Sequence, residues 1–198
     1  MERDRLKPPY FIHPTSLVDD KSTIGSGVKI WHFSHIMKDV IIGNDSIIGQ
    51  NSFIAPNVKI GNNCKIQNNV SLYDGVICQD DVFIGPSAVF TNVINPRSFI
   101  ERKNEFKNTT IHKGSSIGAN STIICGNNIG KYSLVGAGSV VNRDILDFEV
   151  VVGNPCRNIG WISIEGEKLV FDNYGLALSN GKKYCLKNNK CFLIWILD

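Results

Sequence analysis

The chain has 198 residues, a formal net charge of +3 and a charged fraction of 20%. That is long enough for one domain with a sizeable core, and too evenly charged for a nucleic-acid stripe or an acidic tail. The charged lead-in from Met1 to Pro9 precedes no long apolar segment, so neither a signal peptide nor a membrane span is expected and the cytoplasm is the expected compartment. Six cysteines at 64, 78, 125, 156, 185 and 191 form no CxxC pair, which predicts reduced, mostly buried thiols.

After a lead-in over residues 1–11, an aliphatic residue recurs at every sixth position. The first run reads Ile12, Val18, Ile24, Ile30, Ile36, Ile42, Ile48, Ile54, Ile60, Ile66, Leu72, Cys78, Ile84 and Phe90, and the second Ile111, Ile117, Ile123, Ile129, Val135 and Val141. A helix repeats its apolar face at three and four residues, so this period excludes one and predicts a solenoid. Each hexad makes a short strand and a corner, and three close a coil of about 18 residues, a hexapeptide β-helix. Twenty such positions predict six to seven coils across residues 12–161. Small or valine residues two places earlier, such as Val28, Val58, Cys64, Val70 and Ala88, fill the remaining interior, and each buried aliphatic side chain contributes about 1.5–3 kcal/mol. Glycine follows many inward residues, as at Gly25, Gly43 and Gly61, with asparagines nearby, and both types tolerate tight corners.

Between Phe90 and Ile111 the step is 21 residues, so fifteen are inserted within a loop over 91–110. Long loops inside a compact fold usually carry function. After Val141 the pattern dissolves from Asn142 to Phe148, and VVGNPCRNIGW at 151–161 reads as a cap. The extension over 162–198 alternates apolar and polar residues around Ser179-Asn180-Gly181 and Lys187-Asn188-Asn189, which predicts β-hairpin strands, the last run from Phe192 to Leu197 being a candidate interface strand.

Residues 18 apart stack, so Asp74 and Asn92, each two places after an inward residue, are expected at one corner of successive coils where the loop begins. Capping of corner amides is the structural alternative for both. His32, Gln50 and Asn68 form a second outward column, with Trp31 and Phe33 beside it and His35 in the next strand. Either histidine is a candidate general base, and a polar ladder is the plainer reading. The spacing is HxxH on a strand, without the HExxH helix of a zinc protease, so no metal site is expected. Gly136-Ala137-Gly138 lacks a surrounding βαβ unit and is no dinucleotide fingerprint, yet with Gly118 and Ala119 one coil earlier it lets a ligand approach backbone amides, near which Lys131 and Arg157 are candidate phosphate contacts.

The chain resembles the left-handed β-helix acyltransferases, in particular the N-acetyltransferases of nucleotide-linked 3-amino sugars. The resemblance rests on IHPTSLVDD, VKIWHFSHI, KIQNNVSLYDGV, GPSAVFTNVINPRSFIERKNEF, IGANSTIICG, VGAGSVVNRDI and VVGNPCRNIGW, covering residues 11–165. Tyr73-Asp74, FTN at 90–92 and the loop's Arg97 to Lys103 look most like enzymes acetylating UDP-2-acetamido-3-amino-2,3-dideoxy-glucuronic acid, with a dTDP-3-amino-3,6-dideoxyhexose as the alternative substrate. The resemblance implies a homotrimer with sites at the seams between subunits, acetyl-CoA as co-substrate, no metal, and a role in surface polysaccharide or O-antigen biosynthesis. It implies Asn92 and Asp74 as the groups that hold the sugar amine, and Tyr73, Gln67, Asn68, Arg97, Glu101, Arg102 and Lys103 as substrate contacts. Gly118, Ala119, Gly136, Ala137, Lys131, Pro155 and Arg157 are then the CoA contacts.

An amine with a pKa of about 7.7–8.0 is partly neutral near pH 7, and a departing thiolate like that of cysteine, pKa about 8.5, accepts the released proton. Direct attack with orientation by Asp74 and Asn92 is therefore expected, with His35 or His32 as the alternative base. The rival readings are a hexapeptide zinc hydratase, a non-catalytic scaffold and an O-acetyltransferase, the last of which needs a placed histidine base that the loop region lacks.

Overall fold

The computed structural model describes residues 9–194. The chain winds as a parallel β-solenoid, as the hexads predict, with strands mostly two residues long stacked into three sheets. A nine-stranded sheet starts at Phe11–Ile12, a seven-stranded sheet at Leu17–Val18 and a five-stranded sheet at Thr23–Ile24. Successive coils pair in parallel 18 residues apart, as in Lys65↔Phe83 and Ser71↔Val89. Across the insertion the step becomes 33, Cys78↔Ile111 and Phe83↔Ser116, which is 18 plus the fifteen inserted residues. The inward residues from Ile30 onward are buried, as are Val28, Val40, Val58, Cys64, Val70, Val76, Val82 and Ala88.

The solenoid runs further than the hexad count predicts. Eight parallel strands stack in the nine-stranded sheet before an antiparallel one, Arg157–Trp161, closes it, so there are about eight turns. The stretch from Asn142 to Phe148 is no dissolution of the pattern. Ile129 bridges Ile145 and Val135 pairs with Val151, a coil of 16 residues, so two residues are missing from one edge while the inward positions at Ile145 and Val151 stay buried. That shortened edge hides the period.

The two corner residue types do different work. Left-handed backbone recurs three places after most inward residues, as at Gly27, Phe33, Asp39, Asp45, Asn51, Asn57, Asn63 and Asn69, which is why Asn, Asp and Gly collect there. The glycine directly after the inward residue has no positive φ. A Cβ on Gly43 or Gly61 would lie 2.6 Å from the backbone of the coil above, so these glycines exist for close stacking.

The extension forms a three-stranded antiparallel sheet, Leu176–Ser179, Lys182–Lys187 and Lys190–Ile194, with turns at the two predicted places. Ala177, Tyr184 and Cys191 pack with Phe148 and Trp161 in a second core. The candidate interface strand is described to Ile194 only; its remaining residues lie outside the described part. All six thiols are free, and all but Cys185 are buried. No helix among the described residues is long and apolar enough to cross a membrane.

Candidate active site

Three corners connect the sheets. The corner after the seven-stranded sheet carries the loop. Pairing of Ser71 with Val89 sets Asp74 and Asn92 on adjacent coils of this loop corner, both half-buried. The backbone carbonyl of Asn92 accepts the Lys107 amide at 2.9 Å and so closes the base of the loop, while its carboxamide has no hydrogen-bond partner among the described residues. Asp74 accepts one bond, from Asn57 Nδ2 at 3.3 Å. Neither side chain caps a corner amide, in contrast to Asn44, Asn62 and Asp80, whose side chains accept the amides of Ser26, Asn44 and Asn62 one coil below. The two polar groups at the loop base are thus free to meet a ligand. Tyr73, beside Asp74, packs on Phe53 at 6.2 Å.

Two of the loop's four cations, Arg97, Arg102, Lys103 and Lys107, are paired with carboxylates. Arg102 donates through Nη1 alone to both carboxylate oxygens of Glu105, at 2.7 and 2.9 Å, and Lys103 lies 3.3 Å from Glu101. Arg97 donates to the Pro96 carbonyl and has no carboxylate partner among the described residues. The Nε of Arg102 is buried without a partner.

The corner after the nine-stranded sheet carries Gly118-Ala119 and Gly136-Ala137 in its upper coils, topped by Pro155 and Arg157. Here the capping ladder breaks. Gln50 has its amide capped by Asn68 Oδ1 at 3.0 Å, whereas the residue one coil above Ala119 is Ala137, which offers no side-chain acceptor, and neither alanine amide donates to a described group. Two adjacent open amides suit a phosphate or an amide carbonyl of an extended ligand. Arg157 is exposed and donates only to the Cys156 carbonyl. Lys131 does not belong to this column. It sits at the corner after the five-stranded sheet, its amide capped by Asp147, because it follows the inward Ile129 and not an inward residue of the nine-stranded sheet.

His32, Gln50 and Asn68 stack at the lower end of the alanine corner as expected, and Asn68 is spent on the cap just named. The ring of His32 stacks on His13 at 3.5 Å. His13 is far from His32 in sequence yet one coil below it, and desolvation followed by the charge of His32 lowers its pKa. His35 projects from the seven-stranded sheet two strands below Ser71, its Nε2 3.0 Å from Asp19 Oδ1. Two strands correspond to roughly 10 Å, which removes His35 from direct contact with an amine held at Asp74. Gln67 is half-buried, its carbonyl accepting Ser52 Oγ.

Sequence reasoning passed over Asn57, Asp19 and Glu105. The first two bond partners 17 and 16 residues away, off the 18-residue columns, and Glu105 is visible only as an i+3 partner of Arg102. No group of three or more His, Cys, Asp or Glu side chains among the described residues converges as a metal site.

The fold and these corners define a hexapeptide-repeat transferase. Family models described as bacterial transferase hexapeptide (six repeats) match residues 21–56, and as hexapeptide repeat of succinyl-transferase residues 39–74 and 109–143. The chain is 45% identical over 174 residues to a dTDP-3-amino-3,6-dideoxy-α-D-galactopyranose 3-N-acetyltransferase of Aneurinibacillus thermoaerophilus, covering 88% of this chain and 90% of that protein. Among solved structures it is similar to a hexapeptide transferase family protein of Anaplasma phagocytophilum, with TM-score 0.52, 18% identity and coverage of 76% and 81%. It is also similar to a mutant of perosamine N-acetyltransferase of Caulobacter crescentus in complex with CoA and GDP-perosamine, with TM-score 0.40, 24% identity and 76% of this chain on 56% of that one. The chain belongs to the hexapeptide-repeat acetyltransferase family.

Proposed function

We propose that this protein transfers the acetyl group of acetyl-CoA to the 3-amino group of a nucleotide-linked 3-amino-3,6-dideoxyhexose, with dTDP as the nucleotide. The observation that carries the reading is the 45% identity, along nearly the whole of both chains, to the acetyltransferase of dTDP-3-amino-3,6-dideoxygalactose. This reverses the order of the two substrates expected from the sequence, where the uronate came first. The loop supports the reversal, because Glu105 and Glu101 already pair with Arg102 and Lys103 in the segment that favoured the uronate, which leaves Arg97 and Lys107 as the loop cations without a described carboxylate partner.

In this reading Asn92 and Asp74 hold the amine at the loop corner, and the Ala119 and Ala137 amides with Arg157 receive the CoA arm. The neutral nitrogen attacks the thioester carbonyl carbon, the carbon–sulfur bond breaks, and the proton leaving nitrogen ends on the CoA thiolate. A thiolate with a pKa of about 8.5 accepts it without a dedicated base. The donor and acceptor corners lie on opposite edges of the seven-stranded sheet. A second copy facing that sheet would let the two corners share one site, which is the arrangement a homotrimer seam offers.

Thiol release from acetyl-CoA with purified protein tests the reading. Turnover with dTDP-3-amino-3,6-dideoxygalactose well above that with UDP-2-acetamido-3-amino-2,3-dideoxy-glucuronic acid is expected, and the opposite ranking overturns the substrate assignment.

A further inference from the structure

The tail sheet has a covered face and a bare one. Register sets Leu178, Lys183 and Ile194 in one cross-strand row and Leu176, Cys185 and Phe192 in the next. Side chains alternate along a strand, so both rows lie on the face opposite Ala177, Tyr184 and Cys191, which are buried in the second core. Leu178 is 74% exposed and Phe192 50%, and Val170, which lines a groove with Leu178, is 76% exposed. A groove of about 420 Å³ runs along this edge, lined by Val170, Phe171, Asp172, Leu178 and Lys183. A contiguous apolar surface of this kind marks a contact site.

We infer that this face packs against the same face of a second copy of the chain. The groove is self-complementary, because Asp172 and Lys183 both line it and neither forms an ion pair with a described residue. A two-fold arrangement offers each ammonium a carboxylate from the other copy.

The test is the solution mass of the full chain against Leu178→Glu, with circular dichroism to verify folding. The variant is expected at half the wild-type mass, whatever assembly the solenoid itself forms, and a threefold drop overturns the two-fold contact. Equal masses overturn the proposal, whether the face then stays bare or takes a different protein. A mass that ignores Leu178→Glu while deletion of residues 195–198 raises binding of a hydrophobic dye assigns the cover to the chain's own end, and also overturns it. Should Leu178→Glu fail to fold, alkylation of wild-type Cys185 answers the same question. The other five thiols are buried, and burial raises the pKa of Cys64 and Cys78 and pushes Cys191 up to about 12. Labelling of Cys185 is expected to slow as protein concentration rises, and a rate independent of concentration overturns the proposal.

Discussion

Asn57 donates to Asp74 across one coil, at 3.3 Å, and is the only described residue hydrogen-bonded to that carboxylate. The bond fixes the direction of a side chain that otherwise makes no cap, and it leaves most of the acceptor capacity of Asp74 for a ligand. Replacing Asp74 or Asn92 by alanine is expected to lower kcat about tenfold or more with the fold intact, since in the proposed reaction both orient the amine. Asn57→Ala should give a smaller loss in kcat. Steady-state kinetics on the three variants checks this, and wild-type rates in both the Asp74 and Asn92 variants would remove the mechanism.

The Asp19–His35 pair is expected to serve the scaffold. It lies two strands below the loop corner, with the ring edge-on to Phe53 at 6.0 Å. His35→Ala should therefore change kcat by less than about threefold while costing about 1 kcal/mol of stability for a lost hydrogen bond. A pH–rate profile unchanged in the variant would agree, and a lost acid limb would restore His35 as the base.

Freeing Arg102 from Glu105 is expected to shift substrate preference. Glu105→Gln removes the carboxylate that holds Arg102 at 2.7 Å, leaving a guanidinium able to take a sugar carboxylate bidentately. The ratio of kcat/KM for the UDP-uronate over the dTDP sugar should rise. No change in that ratio would separate Arg102 from sugar recognition.

The Arg143–Glu149 pair governs acid stability. Burial pushes the Glu149 carboxyl up, but hydrogen bonds from Arg143, the Leu146 amide and Asn158 outweigh it and hold the pKa below its ordinary value. A depressed folded pKa means that folding favours the ionised form. The stabilisation is complete above the unfolded carboxyl value, about 4.3, and is lost as pH falls through the lower folded value. Glu149→Gln should cost about 1–2 kcal/mol at neutral pH, and its melting temperature should fall less steeply than the wild type's on acidification.

Interior packing should follow the hexads. Ile48→Ala, at a fully buried inward position, is expected to cost about 2–5 kcal/mol, while Ile41→Ala, 44% exposed on the neighbouring position of a strand, should cost far less. Chemical denaturation distinguishes the two.

The solenoid was legible because a single inward residue per hexad reports every strand, and the same 18-residue arithmetic set Asp74 and Asn92 on adjacent coils of the loop corner. What escaped the column was anything off its arithmetic. The 16-residue coil at Ile145 broke the count, and Asn57 and Asp19 reach partners diagonally. Lys131 was grouped with Ala137 by nearness in sequence, although six residues here move the chain to another corner. The open amides at Ala119 and Ala137 are readable once each corner is compared with the coil above it, since alanine brings no acceptor. Loop ion pairs such as Arg102–Glu105 depend on local backbone geometry that a hexad count does not contain.

The insertion at Asn92 leaves the register of the coils above it unchanged, since Phe83↔Ser116 and Val89↔Thr122 pair as if the extra residues were not there. A scaffold of this kind separates two evolutionary jobs. The stacked interior can remain constant while the excursion is lengthened, shortened or exchanged wholesale, so the loop can vary without the fold having to be solved again.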